Sequence, residues 1–310
     1  MSRAGLNRLT PRATAILLIS TNIPDIDIVA LAGGGINYLH WHRYWTHALV
    51  VAPLLALATA IIVRLFGRKP LPWFAATFVA FLGVISHLLL DWTNQYGIRL
   101  LLPFSGERYR LDNAMLFDLW IYACFAVCLF APLLGRLVGG EIGARPKASS
   151  GQGWAILALV FLCVYFAGRG VIHGRLVEVL NARTIDGSEP VRVAAFPRSS
   201  SPFVWSGVVE TSSAWHVYTM NALVGTFDPE SGRTLYKPEK NAAIDAAAET
   251  PAFREFAQFA EFPWWQAVPS PEVENGTQVD LIDLRFSFHC RAIVDAQNRV
   301  RRTDYPVNGW

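Results

Sequence analysis

The chain has 310 residues, enough for one large domain or two ordinary ones. Hydrophobic residues make up 53% of it and charged residues only 16%, whereas a soluble domain usually carries about 25% charged residues, so the composition argues against a plain soluble protein. The net charge of +3 is small and the basic residues form no block, which argues against a nucleic-acid partner.

The first half of the chain carries long apolar runs that predict membrane-spanning helices, since a helix needs about 20 apolar residues to cross a bilayer core. We predict a first helix that ends near Leu31, with its polar end turned into the protein. A signal peptide is the alternative, but no small-residue cleavage site follows the first apolar run. Further spans are predicted at Ala48–Phe66, Pro72–Leu90, Met115–Val138 and Trp154–Ile172. These runs have almost no polar stripe, so buried helices of a soluble protein are less favoured.

Basic residues near the helix ends predict the orientation, because cytoplasmic loops carry an excess of lysine and arginine. With the amino terminus inside, the inside segments hold Arg3, Arg8, Arg12, Arg64, Arg68, Lys69, Arg136, Arg145 and Lys147, and the outside segments hold only Arg43, Arg99, Arg108 and Arg110. Five spans then place the second half of the chain outside. The sequence thus predicts a multi-pass protein of the inner (plasma) membrane with an extracytoplasmic second half.

From about His173 the character of the sequence changes and predicts an extramembrane α+β domain with an antiparallel sheet. Partial alternation with β-branched and aromatic residues indicates strands. The predicted strands are Val191–Phe196, Phe203–Glu210, Trp215–Leu223 and Gln278–Phe288, and the predicted short helices are Asn241–Glu249 and Ala252–Phe259. The predicted domains are therefore a helical membrane domain of about five helices, residues 1–172, and an α+β domain, residues 173–310.

Four groups of histidine and aspartate residues fall at one membrane face under this topology. They are Asp25 with Asp27, the loop histidines His40, His42 and His47, His87 with Asp91, and Asp118. Because His87 and Asp91 are four residues apart, they share one face of a helix and can bind one ion together.

Each group also has a structural interpretation. Asp25 and Asp27 can terminate a helix, and Asp118 can be a lone buried acid, which would then need a counter-charge. The loop histidines can lie at the membrane interface beside tryptophans, an interpretation that we favour for His40. The convergence of all four groups at one face favours ligands instead.

Mixed imidazole and carboxylate ligands suit Zn²⁺, with Mn²⁺ or Fe²⁺ as alternatives, and their number favours two or more ions. The predicted metal ligands are Asp25, Asp27, His42, His47, His87, Asp91 and Asp118. Such ions activate a water and clamp the oxygens of a phosphoester displacement.

The predicted catalytic residues are Asp27, His47, Arg43 and Arg108. A carboxylate that the metal does not fully engage, such as Asp27, can act as general base. Arg43 and Arg108 can hold a phosphate bidentately, and ordinary headgroup or surface contacts are the equally favoured alternative.

The order of these motifs resembles the YdjM-like family of membrane-bound metal-dependent hydrolases. The matching runs cover roughly residues 12–120 and are Asn22–Asp27, His42–His47, Ser86–Gly97 and Leu102–Phe104, followed by Arg108 and Asp118. Several spaced motifs in one order are much more specific than any one of them.

The family is considered distantly similar to zinc-dependent phospholipase C and single-strand nucleases, whose H-x-x-x-D motif matches His87 and Asp91. The resemblance implies a metal hydrolase that acts on a phosphoester. Family members usually carry a Thr-His pair ahead of a run like Arg3–Leu6, and this sequence lacks it. Tyr44 stands where the family often has glycine. Forms with a carboxy-terminal extramembrane domain that starts with a run like 201–205 also resemble this chain.

The sequence therefore predicts a membrane-bound hydrolase that attacks a phosphoester, such as a phospholipid headgroup, through a metal-activated water. Membrane lipids are the predicted partners. The alternative is a non-catalytic membrane protein, either a metal transporter or a structural or interaction protein of the envelope. A transporter would place its ligands near the bilayer midplane, whereas these residues cluster towards one end of the spans.

Overall fold

A computed structural model describes residues 1–67, 70–141, 151–185, 187–224, 226–227, 232–286 and 288–305. They form two compact units. The helical unit contains Met1–Ile26, Arg43–Gly174 and Pro197–Val204, and the sheet unit contains Asp27–His42, Arg175–Phe196 and the chain from Trp205 onwards. The predicted domain boundary between 172 and 173 stays a prediction, although a long helix runs through that position.

The described residues include eight α-helices. They are α1 (Ala13–Ser20), α2 (Gly35–Trp41), α3 (Ala52–Leu65), α4 (Trp73–Thr93), α5 (Leu119–Glu141), α6 (Gln152–Asn181), α7 (Ala242–Ala248) and α8 (Pro251–Phe259). Short 3-10 helices cover Leu6–Arg8, Ile23–Gly33 and Trp45–His47.

Four stretches of the described chain are long and apolar enough to cross a membrane. They are Ala13–Gly33, Trp73–Thr93, Leu119–Val138 and Gln152–Asn181, and a fifth is added if Gly35–His47 and Ala52–Leu65 form one broken span. Helices α5 and α6 expose most of their large apolar side chains, as a surface that faces lipid does.

The first predicted helix is interrupted. It was expected to continue to about Leu31, but α1 ends at Ser20 and a 3-10 helix follows. The side chains of Thr21 and Asn22 donate hydrogen bonds to carbonyl oxygens of the preceding turn. Pro24 has no backbone N–H to continue the helical ladder.

The span predicted at Ala48–Phe66 is also shorter than expected. Its α-helix, α3, begins only at Ala52, and Pro53 occupies its first turn. Proline is favoured at a helix start because its missing N–H is not needed there. The helix is therefore 14 residues long and cannot by itself cross a bilayer core.

Small side chains allow α1, α3 and α4 to pack closely. Their shared core consists of Ala13, Ile16, Leu17, Ala56, Ala60, Val63, Ala76, Val79 and Ala80, together with Leu71 from the segment before α4. At Gly83 of α4, an added Cβ atom would lie 1.9 Å from Oγ and 2.9 Å from Cβ of Ser20 in α1. Because lipid offers no hydrophobic drive between helices, such close contacts supply much of their attraction.

The sheet unit contains two antiparallel sheets. The strands are β1 (Arg192–Pro197), β2 (Val204–Glu210), β3 (Ala214–Asn221), β4 (Thr226–Phe227), β5 (Arg233–Tyr236), β6 (Pro263–Pro269), β7 (Thr277–Asp283), β8 (Phe288–Val294) and β9 (Val300–Asp304). The first sheet has the order β1-β2-β3-β4 with β5 also paired to β3, and the second has the order β6-β7-β8-β9. Helices α7 and α8 contact the second sheet. The predicted fold class, apolar helices followed by an antiparallel α+β part, is confirmed.

One predicted strand is divided. The run Gln278–Phe288 was expected to be a single strand, but β7 ends at Asp283 and a turn leads into β8. The Asp283 carboxylate accepts hydrogen bonds from the backbone N and the guanidinium of Arg285. Aspartate commonly stabilises a turn by accepting from a backbone N–H two residues on. A local carboxylate bond thus ends a strand that alternation alone would continue.

We predict that Gly83→Ala weakens the packing of α1 on α4 and lowers the free energy of unfolding by about 1–3 kcal/mol. The matched control is Gly135→Ala in α5, where an added Cβ atom meets nothing within 4 Å. Thermal unfolding of the detergent-solubilised chain measures both variants. Equal midpoints for the two variants would contradict the proposed close contact.

Candidate metal centre

Four side chains of the helical unit direct ligand atoms to one place: Asp25, His47, His87 and Asp91. His87 and Asp91 lie one turn apart on α4, so helix geometry alone puts them on one face. His47 ends the 3-10 helix that precedes α3, and Asp25 lies in the 3-10 helix that follows α1. Three separate segments therefore build the group.

The ligand atoms are close to one another. The two Nε2 atoms of His47 and His87 are 3.2 Å apart. Oδ2 of Asp91 lies 3.1 Å from Nε2 of His47 and 3.4 Å from Nε2 of His87. Oδ1 of Asp25 lies 3.5 Å and 3.6 Å from the same two nitrogens.

These separations match those around a tetrahedral ion. Zinc binds imidazole nitrogen and carboxylate oxygen at about 2.0–2.2 Å, which places neighbouring ligand atoms of a tetrahedron about 3.3–3.6 Å apart. The nitrogen–nitrogen and nitrogen–oxygen separations in the cluster run from 3.1 to 3.6 Å. The four residues therefore fit one divalent cation in both chemistry and spacing.

The outer nitrogen of each imidazole has its own partner. Nδ1 of His87 lies 2.8 Å from the carbonyl oxygen of Thr21, and Nδ1 of His47 lies 3.0 Å from Oγ1 of Thr46. A carbonyl oxygen can only accept, so Nδ1 of His87 carries the proton and donates. In the neutral ring this leaves the lone pair on Nε2, which is the atom that faces the cluster.

Arg43 holds the carboxylate of Asp91 from the other side. Its Nη2 donates to Oδ1 of Asp91 at 2.8 Å, and its Nη1 donates to Oδ1 of Asn94 at 3.0 Å. The guanidinium also lies over the ring of Tyr96, 4.8 Å from the centroid. Oδ1 of Asp91 is thus engaged by a cation, while Oδ2 is directed to the imidazoles. Asp91 is thereby positioned as a ligand through one oxygen.

The cluster is buried at one side and open at the other. The side chain of His47 is completely buried, and those of His87 and Asp91 are 12% and 10% exposed. The side chain of Asp25 is 46% exposed. A ligand or a proton can therefore reach the cluster past Asp25.

Two other predicted ligands, Asp27 and His42, lie next to each other. Asp27 and His42 belong to the sheet unit, where Oδ1 of Asp27 is 3.0 Å from Nδ1 of His42 and the imidazole stacks on Tyr38. His40, for which the structural interpretation was favoured, forms a pair with Glu255 at 2.8 Å. The roles predicted for Asp27 and His42 remain predictions.

Asp118 takes part in a second buried network, between α5 and α6. The hydroxyl of Tyr165 lies 2.9 Å from its Oδ2, and Nη1 of Arg169 lies 3.7 Å from the same oxygen. Arg169 also donates from Nη1 to the Tyr165 hydroxyl. Asp118 thus has the counter-charge that its structural interpretation requires, and it lies outside the group of four converging ligands.

The supporting residues Thr21, Thr46 and Asn94 were not assigned roles from the sequence. Each is near a predicted ligand in the chain, and this proximity is the only signal the sequence offers for them. Their contacts depend on rotamers and on segments that meet only after folding, because the carbonyl of Thr21 and His87 are 66 residues apart.

Comparison with known proteins gives a family match and one distant relative. A model described as "YdjM inner membrane protein" matches residues 2–176. The chain is similar to "Uncharacterized protein YfhP" of Bacillus subtilis (strain 168), with 22% identity over 271 residues that cover 87% of this chain and 76% of that protein. No solved structure matches. Neither description names an activity.

We predict that Arg169→Ala destabilises the helical unit, because it leaves the buried carboxylate of Asp118 without its cation. Loss of one partner of a buried pair costs about 3–5 kcal/mol. The control is Arg175→Ala on an exposed position of the same helix, with an expected effect within about 0.5 kcal/mol. Unfolding in mixed detergent measures both, and an equally small effect for Arg169→Ala would refute the structural role of the pair.

Proposed function

This chain belongs to the YdjM inner membrane protein family, and from that premise we propose that it is a membrane-bound metal-dependent hydrolase of phosphoesters. The observation that carries the proposal is the convergence of two Nε2 atoms and two carboxylate oxygens, with nitrogen–nitrogen and nitrogen–oxygen separations of 3.1–3.6 Å. We assign Asp25, His47, His87 and Asp91 as the ligands of a divalent cation, with Zn²⁺ favoured and Mn²⁺ or Fe²⁺ as alternatives.

The cation, when bound, supplies Lewis-acid chemistry and makes water a usable nucleophile near neutral pH. The residues of the chain supply the geometry. The Thr21 carbonyl and Thr46 hydroxyl orient the two imidazoles, and Arg43 fixes Asp91. Groups held in this way lose little freedom when a cation or substrate binds, which favours a well-defined site.

We assign proton transfer to a carboxylate at the open side of the cluster. Asp25 is half exposed, so its carboxylate can exchange a proton with solvent while the other three ligands stay buried. Asp27 is the base that the sequence favours, and its contact with His42 would orient it for that role. The variant Asp27→Asn separates the two assignments, because it leaves the four proposed zinc ligands intact. Loss of turnover with unchanged zinc content would assign the base to Asp27, and unchanged turnover would leave the role to Asp25.

A phosphoester in a lipid headgroup is the proposed substrate. His87 and Asp91 lie in the last two turns of a helix long enough to span a bilayer, and such a helix end meets the headgroup region. The excess of basic residues at the opposite ends of the spans supports an extracytoplasmic site in an inner membrane.

The second candidate is metal binding without hydrolysis, for transport or for structure. It is favoured by the number of protein ligands, because structural zinc sites use four and catalytic sites usually use three with one open position. The exposure of Asp25 supports the catalytic alternative, since a ligand at the open side is the one that a substrate can displace.

We predict about one zinc per chain in purified wild-type protein and at least about tenfold less in the double variant His87→Gln/Asp91→Asn. These substitutions keep side-chain size and avoid an unpartnered Arg43. The control is His40→Gln, outside the cluster. Elemental analysis after gel filtration measures metal content and folding together. Equal zinc in the double variant and in wild type would eliminate the site.

Hydrolysis is tested on the same samples with a phosphodiester analogue and with phospholipid in mixed micelles. We expect turnover in wild type, its loss with a chelator, and its return with zinc. Bound zinc without turnover of either substrate would favour transport or structural binding over the hydrolase.

A further inference from the structure

We propose that Arg99 and Arg108 form a phosphate-binding subsite beside the metal cluster. This inference deepens the proposed function, on which it rests for the identity of the molecule that carries the phosphate. The two arginines belong to the segment that follows α4, and the proposal rests on their pairing, on the aromatic rings beneath them and on the route from them to Asp91.

The backbone brings the two arginines together. Ile98 and Tyr109 form an antiparallel bridge, in which each backbone N donates to the carbonyl oxygen of the other residue, at 3.0 and 2.8 Å. This pairing places Arg99 opposite Arg108, and residues directly opposite in an antiparallel pair project from the same face. Two like charges in this position repel each other, so an anion between them would relieve a built-in strain.

Each of the two guanidinium groups lies over an aromatic ring. The Cζ atom of Arg99 lies 4.6 Å from the centroid of the Tyr44 ring, and that of Arg108 lies 5.7 Å from the centroid of Tyr96. Stacking uses the face of a guanidinium and leaves its N–H edge for a planar or tetrahedral anion. Nε of Arg99 is buried without a hydrogen-bond partner among the described residues.

A short chain of contacts connects this pair to the metal cluster. Tyr96 lies under Arg108 and also under Arg43, which binds the metal ligand Asp91. The backbone N of Tyr96 donates to Asn94, the second partner of Arg43. Arg108 is therefore connected to Asp91 through the Tyr96 ring and Arg43, and Arg99 is connected to Arg108 through the backbone bridge.

Arg43 and Arg110 are less suited to bind the phosphate. Both Nη atoms of Arg43 donate to Asp91 and Asn94. Arg110 shares the face of Arg108 but forms an ion pair with Asp112. We therefore propose Arg99, in place of the predicted Arg43, as the partner of Arg108 in binding the phosphate.

The test uses the full chain in a neutral detergent with a metal chelator, so that no cation contributes to anion binding. We expect inorganic phosphate, but not chloride at equal ionic strength, to raise the unfolding temperature of wild type. In Arg99→Gln/Arg108→Gln, apparent phosphate affinity should fall at least about tenfold, since charge-assisted hydrogen bonds are lost. The same variant should unfold at an equal or higher temperature than wild type without phosphate, because the repulsion is gone.

The matched control is Arg64→Gln/Arg136→Gln, which removes two charges from exposed positions and should keep the phosphate response. A short-chain phosphatidic acid in the same detergent provides the second arm. A response to this lipid or to inorganic phosphate that depends on Arg99 and Arg108 supports the subsite, and the more potent probe identifies its source. A response unchanged by their substitution, an equal response to chloride, or no response to either probe overturns it.

The outcome is independent of the metal analysis. A chain that binds phosphate through the arginines but carries no zinc would retain the subsite and reject the metal-dependent hydrolase. A chain that holds zinc but shows no arginine-dependent phosphate response would retain the metal site and reject the phosphate subsite.

Discussion

The helical unit depends on one constraint: His47, His87 and Asp91 are largely buried together at the end of a membrane-length helix. Moving charged groups out of water costs several kcal/mol each unless partners offset it. Here the cost of burial is offset by the contacts of Asp91 with the two imidazoles and by the ion pair between Arg43 and Oδ1 of Asp91. In the proposed function, a shared cation offsets it further. The positions of the threonine partners and of the half-exposed Asp25 follow from this requirement.

The helical unit contains two buried carboxylates, Asp118 and Asp91, that are stabilised by different kinds of partner. Between α5 and α6, Asp118 meets Arg169 and the hydroxyl of Tyr165, so a protein cation and a donor satisfy the carboxylate. At the cluster, Oδ2 of Asp91 faces two nitrogens that can themselves be ligands. The first arrangement is complete within the protein. The second has the ligand types and spacing that a divalent cation requires, which is why it is the better candidate for function.

Helix geometry made part of the site predictable. The spacing of His87 and Asp91 requires only that α4 be helical, and the apolar run around them ensures this. The contact of Thr21 with His87, and the choice of Arg43 as partner of Asp91, could not be predicted, since each joins segments more than 40 residues apart. Likewise the division of the run 278–288 into two strands depends on one carboxylate, Asp283, and not on the alternation that the sequence displays.

The sequence by itself determined the apolar helices, the antiparallel second half, the family and the residue types of the site, because apolar length, alternation and motif order are local or linear properties. Only the tertiary structure decided that Asp25, His47, His87 and Asp91 converge while Asp118 pairs with an arginine. The reason is physical: which carboxylate meets an imidazole and which meets a guanidinium depends on the packing of helices, down to the space that Gly83 leaves for Ser20.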